Sequence, residues 1–559
     1  MPETFTGDAD LIVRGSVYTM DAARPAAEAF AVRDGKVAAV GDEADVMALA
    51  GPRTWVTHAG DGMVMPGIVD VHAHVGLGGQ AAAWELRLPP AYGTYEILAA
   101  VTDWADGLGP DDWVVGGPVA SPVFRAMGTR EMLAALDKAG QGRPVMLRDD
   151  SLGNRWVNSR ALEMLGVDAL SLDPVGGSYL RDGLGPVGLL FGQAAARAEL
   201  AARESIRDWR LRDLRSARTG VKILNAAGIT ATQDAATMGA WLDAFCSLDR
   251  TGQLNAWIVG SMPATEFIEP GRVGPTLFDT APARRTAHVR PDFIKAVLDG
   301  APVTRPSKLL GPRKPDPAAA SGEPGGHGRL TDEELDKVLE AALIRGLDVK
   351  FHATGDGTVR QALDAVKRMR ARYGNGPVFH IARPEFVHPD DVRRFAELGV
   401  IADASPALWF PGPRNALIGR HVPDRYLERG WPLAELRAAG ALIAAGSDWP
   451  VAAPAPDPWL SLEAMVTRRG VDPAFPGTLA RRQALSLDAA IAAHTVNAAW
   501  AAGLGAVTGK LSPGLSADFI VLDRDLFAVP VDQIHATQVR ETWFGGRLVH
   551  AAATGKPLP

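Results

Sequence analysis

One cysteine, Cys246, stands in 559 residues. That excludes an intramolecular disulfide and any cysteine-built zinc motif, and it reads as a small buried hydrophobe rather than a reactive thiol. No apolar run reaches the roughly 20 residues needed to span a bilayer. A dominant charge sign is also lacking. Fifty-eight basic residues face 65 acidic ones, a net −7, which argues against nucleic acid or an anionic membrane as partner. The opening residues 1–10, MPETFTGDAD, lack a basic head and an apolar stretch, so a cytoplasmic location is expected. What is present is ordinary for a globular protein: 47% hydrophobic and 22% charged residues, with 60 Gly and 41 Pro that imply many short connections.

The two ends resemble each other and differ from the middle. Asp34-Gly35 and Gly545-Gly546 each sit between short apolar runs, the pattern of tight hairpins. Residues 517–523, ADFIVLD, read as one more strand. Neither end has strands enough to bury a sheet face alone, so a composite β-sandwich from residues 1–65 and 505–559 is expected. The alternative is two independent β caps. Between them, strands at 229–234, 293–298, 347–352, 378–383, 400–404 and 441–446 alternate with helical segments. Repeated strand-then-helix units imply a parallel sheet, and residues 66–504 are expected to form a (β/α)₈ barrel with its polar residues at the C-terminal strand ends. Two stretches break the rhythm. Residues 84–190 form an insertion, and the Pro/Gly-rich loop 311–328 is expected to be an active-site lid rather than a plain excursion.

Residues 66–74 read PGIVDVHAH. Ile68, Val69 and Val71 suit a strand, and side chains at i and i+2 of a strand share one side. His72 and His74 therefore converge, as a metal ligand pair or as neighbours on an exposed edge. Other polar residues at strand ends are Lys295, His352 and Asp448, with His380 as a doubtful addition. Imidazole and carboxylate suit a divalent ion such as zinc. Asp448 could bind the metal, take a proton from water, or do both in turn. Lys295 as a plain cation is a poor ligand, but as a carbamate it could bridge two metals. Its bland alternative is a salt bridge to Asp299.

Several blocks together resemble amidohydrolase family 3, the metal-dependent hydrolases that include N-substituted formamide deformylase. They are residues 66–74, 156–162 (WVNSRAL), 227–234 (AGITATQD), 295–300 (KAVLDG), 351–357 (FHATGDG), 446–451 (GSDWPV) and 509–522. The resemblance implies a (β/α)₈ barrel, a terminal β-sandwich, and one or two zinc ions activating water for attack on an amide-type C–N bond. It implies His72, His74 and His352 as ligands and Lys295 as the often carboxylated lysine. Asp448 would be ligand, general base and then proton donor to the leaving nitrogen. Small-molecule substrates and a homodimer also follow from it.

Three departures stand out. The family's sixth strand carries a ligand histidine where Arg383 falls here, with His380 three residues earlier, brought inward only by a bulge. A substrate-contacting histidine is replaced around Gly153 and Asn154, before Trp156. Gly192 stands where a glutamate is common. A guanidinium repels a metal, so an inward Arg383 implies one metal or a bidentate grip on a substrate carboxylate. The plainer alternative pairs it with Glu385 or Asp403. Asn154, Trp156, Trp449 and Arg383 are the expected substrate contacts, and Trp409 and Phe410 add an aromatic hint. Three functions compete: hydrolysis of an amide, formamide or lactam; a lyase, decarboxylase or isomerase with Arg383 anchoring a carboxylate; and a non-enzymatic binding protein.

Overall fold

A computed structural model of the chain describes residues 7–89, 91–150, 152–265, 271–300, 307–314 and 329–552. The loop expected as a lid lies outside the described residues from position 315 to 328. Eight parallel strands, Ile68–Ala73, Ile229–Asp234, Trp257–Pro263, Val289–Val297, Asp348–His352, Phe379–Ala382, Val400–Ala404 and Ile443–Ala445, pair in chain order. The ring is closed just beyond the eighth strand. There the Asp448 N–H donates to the His72 carbonyl at 2.6 Å and the His74 N–H to the Trp449 carbonyl at 2.7 Å. The expected barrel is therefore the observed one.

Alternation along the strands sorts side chains into two layers. In the fifth strand Val349 and Phe351 join the apolar layer shared with the outer helices, which leaves Lys350 and His352 on the inner face. Deep in the barrel Val69, Val71, Ala231, Val259, Phe293, Ile401 and Ala444 pack on Ala498 and Ala501 of the helix Val496–Ala501, which closes that end. Burying each larger side chain of these layers contributes roughly 1.5–3 kcal/mol. The third strand, Trp257–Pro263, went unrecognised in the sequence. All seven of its residues are buried, so no polar alternation marks it, and Gly260 and Pro263 disguise it further.

Both termini build one seven-stranded sheet in the order Arg547–Ala551, Val539–Phe544, Phe519–Leu522, Trp55–Pro66, Leu11–Tyr18, Ala26–Arg33, Lys36–Gly41. It rolls over far enough that Phe30 meets Phe519, three strands away, edge-on at 5.0 Å between ring centroids. The N–H of Ala517 reaches the Gly35 carbonyl at 2.8 Å. Both hairpin turns have positive φ at their two central residues, Asp34 and Gly35, and Gly545 and Gly546, as a type I′ turn requires.

The insertion is a six-stranded sheet with its own core, running from Leu86–Arg87 to Gly185–Gly192. Arg148 ties it to the barrel, ion-paired with Glu85, just past the helix Val75–Trp84, and with Glu199 at 2.5 Å. No helix among the described residues is long and apolar enough to cross a membrane.

Candidate metal centre

The first strand is buried along its whole length, and His72 and His74 fall at its C-terminal end. Across the closure, Asp448 sits at φ +54. Asp70 holds this corner together. Its Oδ1 accepts from the N–H groups of His72 (2.9 Å) and Ser447 (3.1 Å), and its Oδ2 accepts from the Ser447 hydroxyl at 2.6 Å. Burial pushes the Asp70 carboxyl up to about 7, against these three hydrogen bonds. Gly446 is obligatory here, since a Cβ would lie 2.4 Å from the His72 nitrogen and 2.5 Å from Asp70 Oδ1.

As a result, Nε2 of His72 and Nε2 of His74 stand 3.7 and 3.5 Å from Asp448 Oδ1. Ligand atoms of the three residues all lie within 4.8 Å of one another. Burial, as the largest cause, pushes both imidazoles down, His72 well below its usual range, so they are neutral lone-pair donors at pH 7. Burial opposes the charge on Asp448, but the Arg383 guanidinium outweighs it and holds the carboxyl far below the usual range. Neither of its oxygens has a well-formed hydrogen bond among the described residues. Two neutral imidazoles and an ionised, under-satisfied carboxylate form the donor set that a divalent ion takes. Ligand bonds of about 2.0–2.1 Å at tetrahedral angles would space donor atoms about 3.3–3.4 Å apart, close to the two separations from Asp448 Oδ1.

Lys295 points into the same space, with Nζ 3.4 Å from His72 Nε2. Burial first, then the charge of Lys350, brings its pKa down to about 7. The alternative salt bridge to Asp299 is not made. Asp299 instead accepts from the N–H and hydroxyl of Thr354, the Gly355 N–H and the Thr358 hydroxyl, which fastens the loop beyond His352. His352 itself lies outside the three-residue group. Burial, with the charges of Arg383, Lys295 and His72, pushes it well below its usual range.

The sixth strand separates its two candidates. His380 faces the closed end of the barrel, with Nε2 2.9 Å from the Ala501 carbonyl and its ring 5.2 Å from that of Phe293. The doubtful addition to the ligand set is thus not brought to the others. Regular pairing with both neighbouring strands leaves no bulge to turn it. Arg383 does face the site. It sits at φ +62 with its N–H on the Asp403 carbonyl at 2.9 Å, and its Nη2 lies 3.3 Å from Asp448 Oδ2. The alternative partners are otherwise engaged: Glu385 pairs with Arg414 at 3.0 Å, and Asp403 with Lys350 at 2.6 Å. Arg383 Nε is buried without a hydrogen-bond partner.

The expected substrate contacts fare worse. Trp156 is fully buried in the core of the inserted sheet with Ile97, Val114 and Leu189. The Asn154 amide is spent on Asp149 at 2.7 Å. The Trp449 ring is buried against Gly78, whose added Cβ would meet it at 2.4 Å; its contribution is the carbonyl that accepts from His74. Trp409 is fully buried under the Arg468 guanidinium, so the aromatic hint dissolves into core packing. Gly192 stands at φ +56 where a Cβ would lie 2.4 Å from the Gly176 carbonyl, which leaves no room for a glutamate in that conformation. Sequence reasoning missed Asp70 and Lys350 and gave Asp403 only a rim role. The available signal was a charged residue inside a β-branched run, on the same face as a candidate ligand.

Comparison with known proteins identifies the family. The chain is 25% identical over 557 residues to N-substituted formamide deformylase of Arthrobacter pascens, covering 96% of this chain and 97% of that protein. It is 26% identical over 560 residues to Protein LONG AFTER FAR-RED 3 of Arabidopsis thaliana, covering 97% and 92%. An uncharacterized metal-dependent hydrolase from Pyrococcus horikoshii shares the fold with a TM-score of 0.73 and 22% identity, covering 93% of this chain and 99% of that one. Relatives of equal similarity carry unlike names, so similarity of this kind identifies a family and not a substrate. A profile of the amidohydrolase family matches residues 56–550, and the chain belongs to that family and is an enzyme.

Proposed function

We propose that this enzyme is a zinc-dependent hydrolase of an amide, formamide or lactam C–N bond in a small organic substrate. The observation that carries the reading is the convergence of His72, His74 and Asp448 on one point, with the carboxylate oxygens unsatisfied. His72, His74 and Asp448 would hold the ion, with Lys295 and His352 beside it. A zinc ion supplies Lewis acidity, which polarises a carbonyl and makes water easier to deprotonate. Asp448 would take the proton from the attacking water and return it to the leaving nitrogen. Its carboxylate is a weak base while Arg383 caps Oδ2, so a substrate group that draws Arg383 away raises its basicity. Arg383 on that side also disfavours a second cation bridging Asp448, which favours one zinc per chain over two. A pKa near 7 leaves much of Lys295 as the neutral amine that reacts with carbon dioxide, and this supports its carboxylation.

The inward Arg383 favours one further reading, a lyase, decarboxylase or isomerase in which the guanidinium grips a substrate carboxylate. Turnover of a panel of formamides, amides and lactams in heavy-oxygen water separates the two. Solvent oxygen in the acid product supports hydrolysis, and full turnover by metal-free protein would sink both. A cytoplasmic location and a homodimer complete the reading, to be checked by fractionation and light scattering.

A further inference from the structure

We infer that Asp403 and Lys350 are positioning residues for His72, fixing its tautomer and ring plane across the interior of the barrel. The inference rests on His72 being a metal ligand, as proposed above. Its geometry is independent of that reading. Asp403 Oδ2 lies 3.2 Å from His72 Nδ1 and 2.6 Å from Lys350 Nζ. Lys350 Nζ also donates to the carbonyl of Val71, the residue before His72. All three side chains are at most 2% exposed. They come from the first, fifth and seventh strands, so only the closed barrel brings them together.

The donor inventory decides the tautomer. Lys350 donates to Asp403 Oδ2, and a carboxylate oxygen paired in this way accepts hydrogen bonds. The same oxygen lies 3.2 Å from His72 Nδ1, so the ring proton is on Nδ1 and points at Asp403. Nε2 is left with its lone pair toward the site. A carboxylate in that place holds the imidazole in the orientation a metal needs and makes Nε2 a stronger donor. An isolated buried carboxylate would be costly, and Lys350 offsets that cost by pairing with the same oxygen. The contrast with His74 is sharp. Its Nδ1 is buried with no hydrogen-bond partner among the described residues. Of the two imidazoles, one is pinned at Nδ1 by a built chain of residues and the other has no such partner there.

The experiment measures zinc affinity by competition with a chromophoric chelator for wild type, Asp403→Asn, and the double variant Asp403→Asn/Lys350→Met. Circular dichroism and thermal melting check that each is folded. Loss of the orienting carboxylate should weaken zinc binding roughly 10–100-fold. The double variant should bind zinc no more tightly than Asp403→Asn, because Lys350 holds both the Asp403 carboxylate and the Val71 carbonyl. If the single variant fails to fold because it strands a buried ammonium, the double variant decides, since it removes both charges together. A folded variant lacking the Asp403 carboxylate that keeps zinc affinity within about threefold of wild type overturns the inference and leaves the metal reading intact. Wild type that binds no zinc overturns the metal reading itself.

Discussion

The two sides of the barrel mouth have opposite characters, and Asp448 stands between them. On the side of the first and eighth strands, its Oδ1 faces two neutral imidazoles, and Asp70 braces the whole corner. On the side of the sixth strand, its Oδ2 faces the Arg383 guanidinium, with Arg414 and Glu385 behind it. One side offers lone pairs to a cation and the other offers N–H donors to an anion. The difference teaches that a single carboxylate can divide a site. The imidazole side has the donors that the proposed metal would take, and the arginine side has the charge that would suit a negative group.

The largest expected effect comes from the dividing residue. Asp448→Asn removes the base and the charge shared by both sides, and kcat should fall by roughly 10²–10⁴, with zinc binding weakened as well. Steady-state kinetics on a folded variant with a measured zinc content checks this, and near-normal turnover would end the assignment of Asp448. Arg383→Met tests the anionic side. For a substrate bearing a carboxylate, kcat/KM should drop about 10–100-fold, the worth of one charge-assisted hydrogen bond. A neutral substrate should show no such loss, since removing the guanidinium also frees the Asp448 base, and equal losses for both would erase the difference between the two sides.

A smaller effect concerns the other sixth-strand residue. Burial, then Lys350, pushes His380 down to about 3, while the unfolded chain carries an ordinary imidazole near 6.5. Between those values the unfolded state binds more protons. Its contribution to stability is therefore full above about pH 6.5 and is lost as pH falls toward 3. His380→Phe should flatten the fall of melting temperature over that window, and an unchanged slope would place the acid sensitivity elsewhere. The smallest effect on catalysis is expected at Trp156, which belongs to neither side. Trp156→Ala should cost about 3–5 kcal/mol of stability yet leave KM of the folded enzyme unchanged. A raised KM would return Trp156 to the substrate.

Much of the fold was legible because local pattern reports local structure. The His72–His74 spacing, the hairpin turns and seven of the eight barrel strands all come from periodicities of a few residues. The burial of Trp156 and Trp449 was not legible for a related reason. Trp156 and Trp449 sit next to strand-end loops in sequence, but a loop neighbour can be folded back into a core. Nothing local distinguishes the two outcomes.

By itself, then, the sequence determined the barrel and the pattern that set His72, His74 and Asp448 apart as candidates. The tertiary structure decided the rest. It turned Arg383 rather than His380 toward the corner of His72, His74 and Asp448, because Arg383 sits at φ +62 beyond the end of a strand whose alternation keeps His380 deep inside. It also brought Lys350 and Asp403 to His72 from 278 and 331 residues away. Such meetings depend on strand order and closure of the ring, and those follow from packing the whole chain rather than from any short stretch of it.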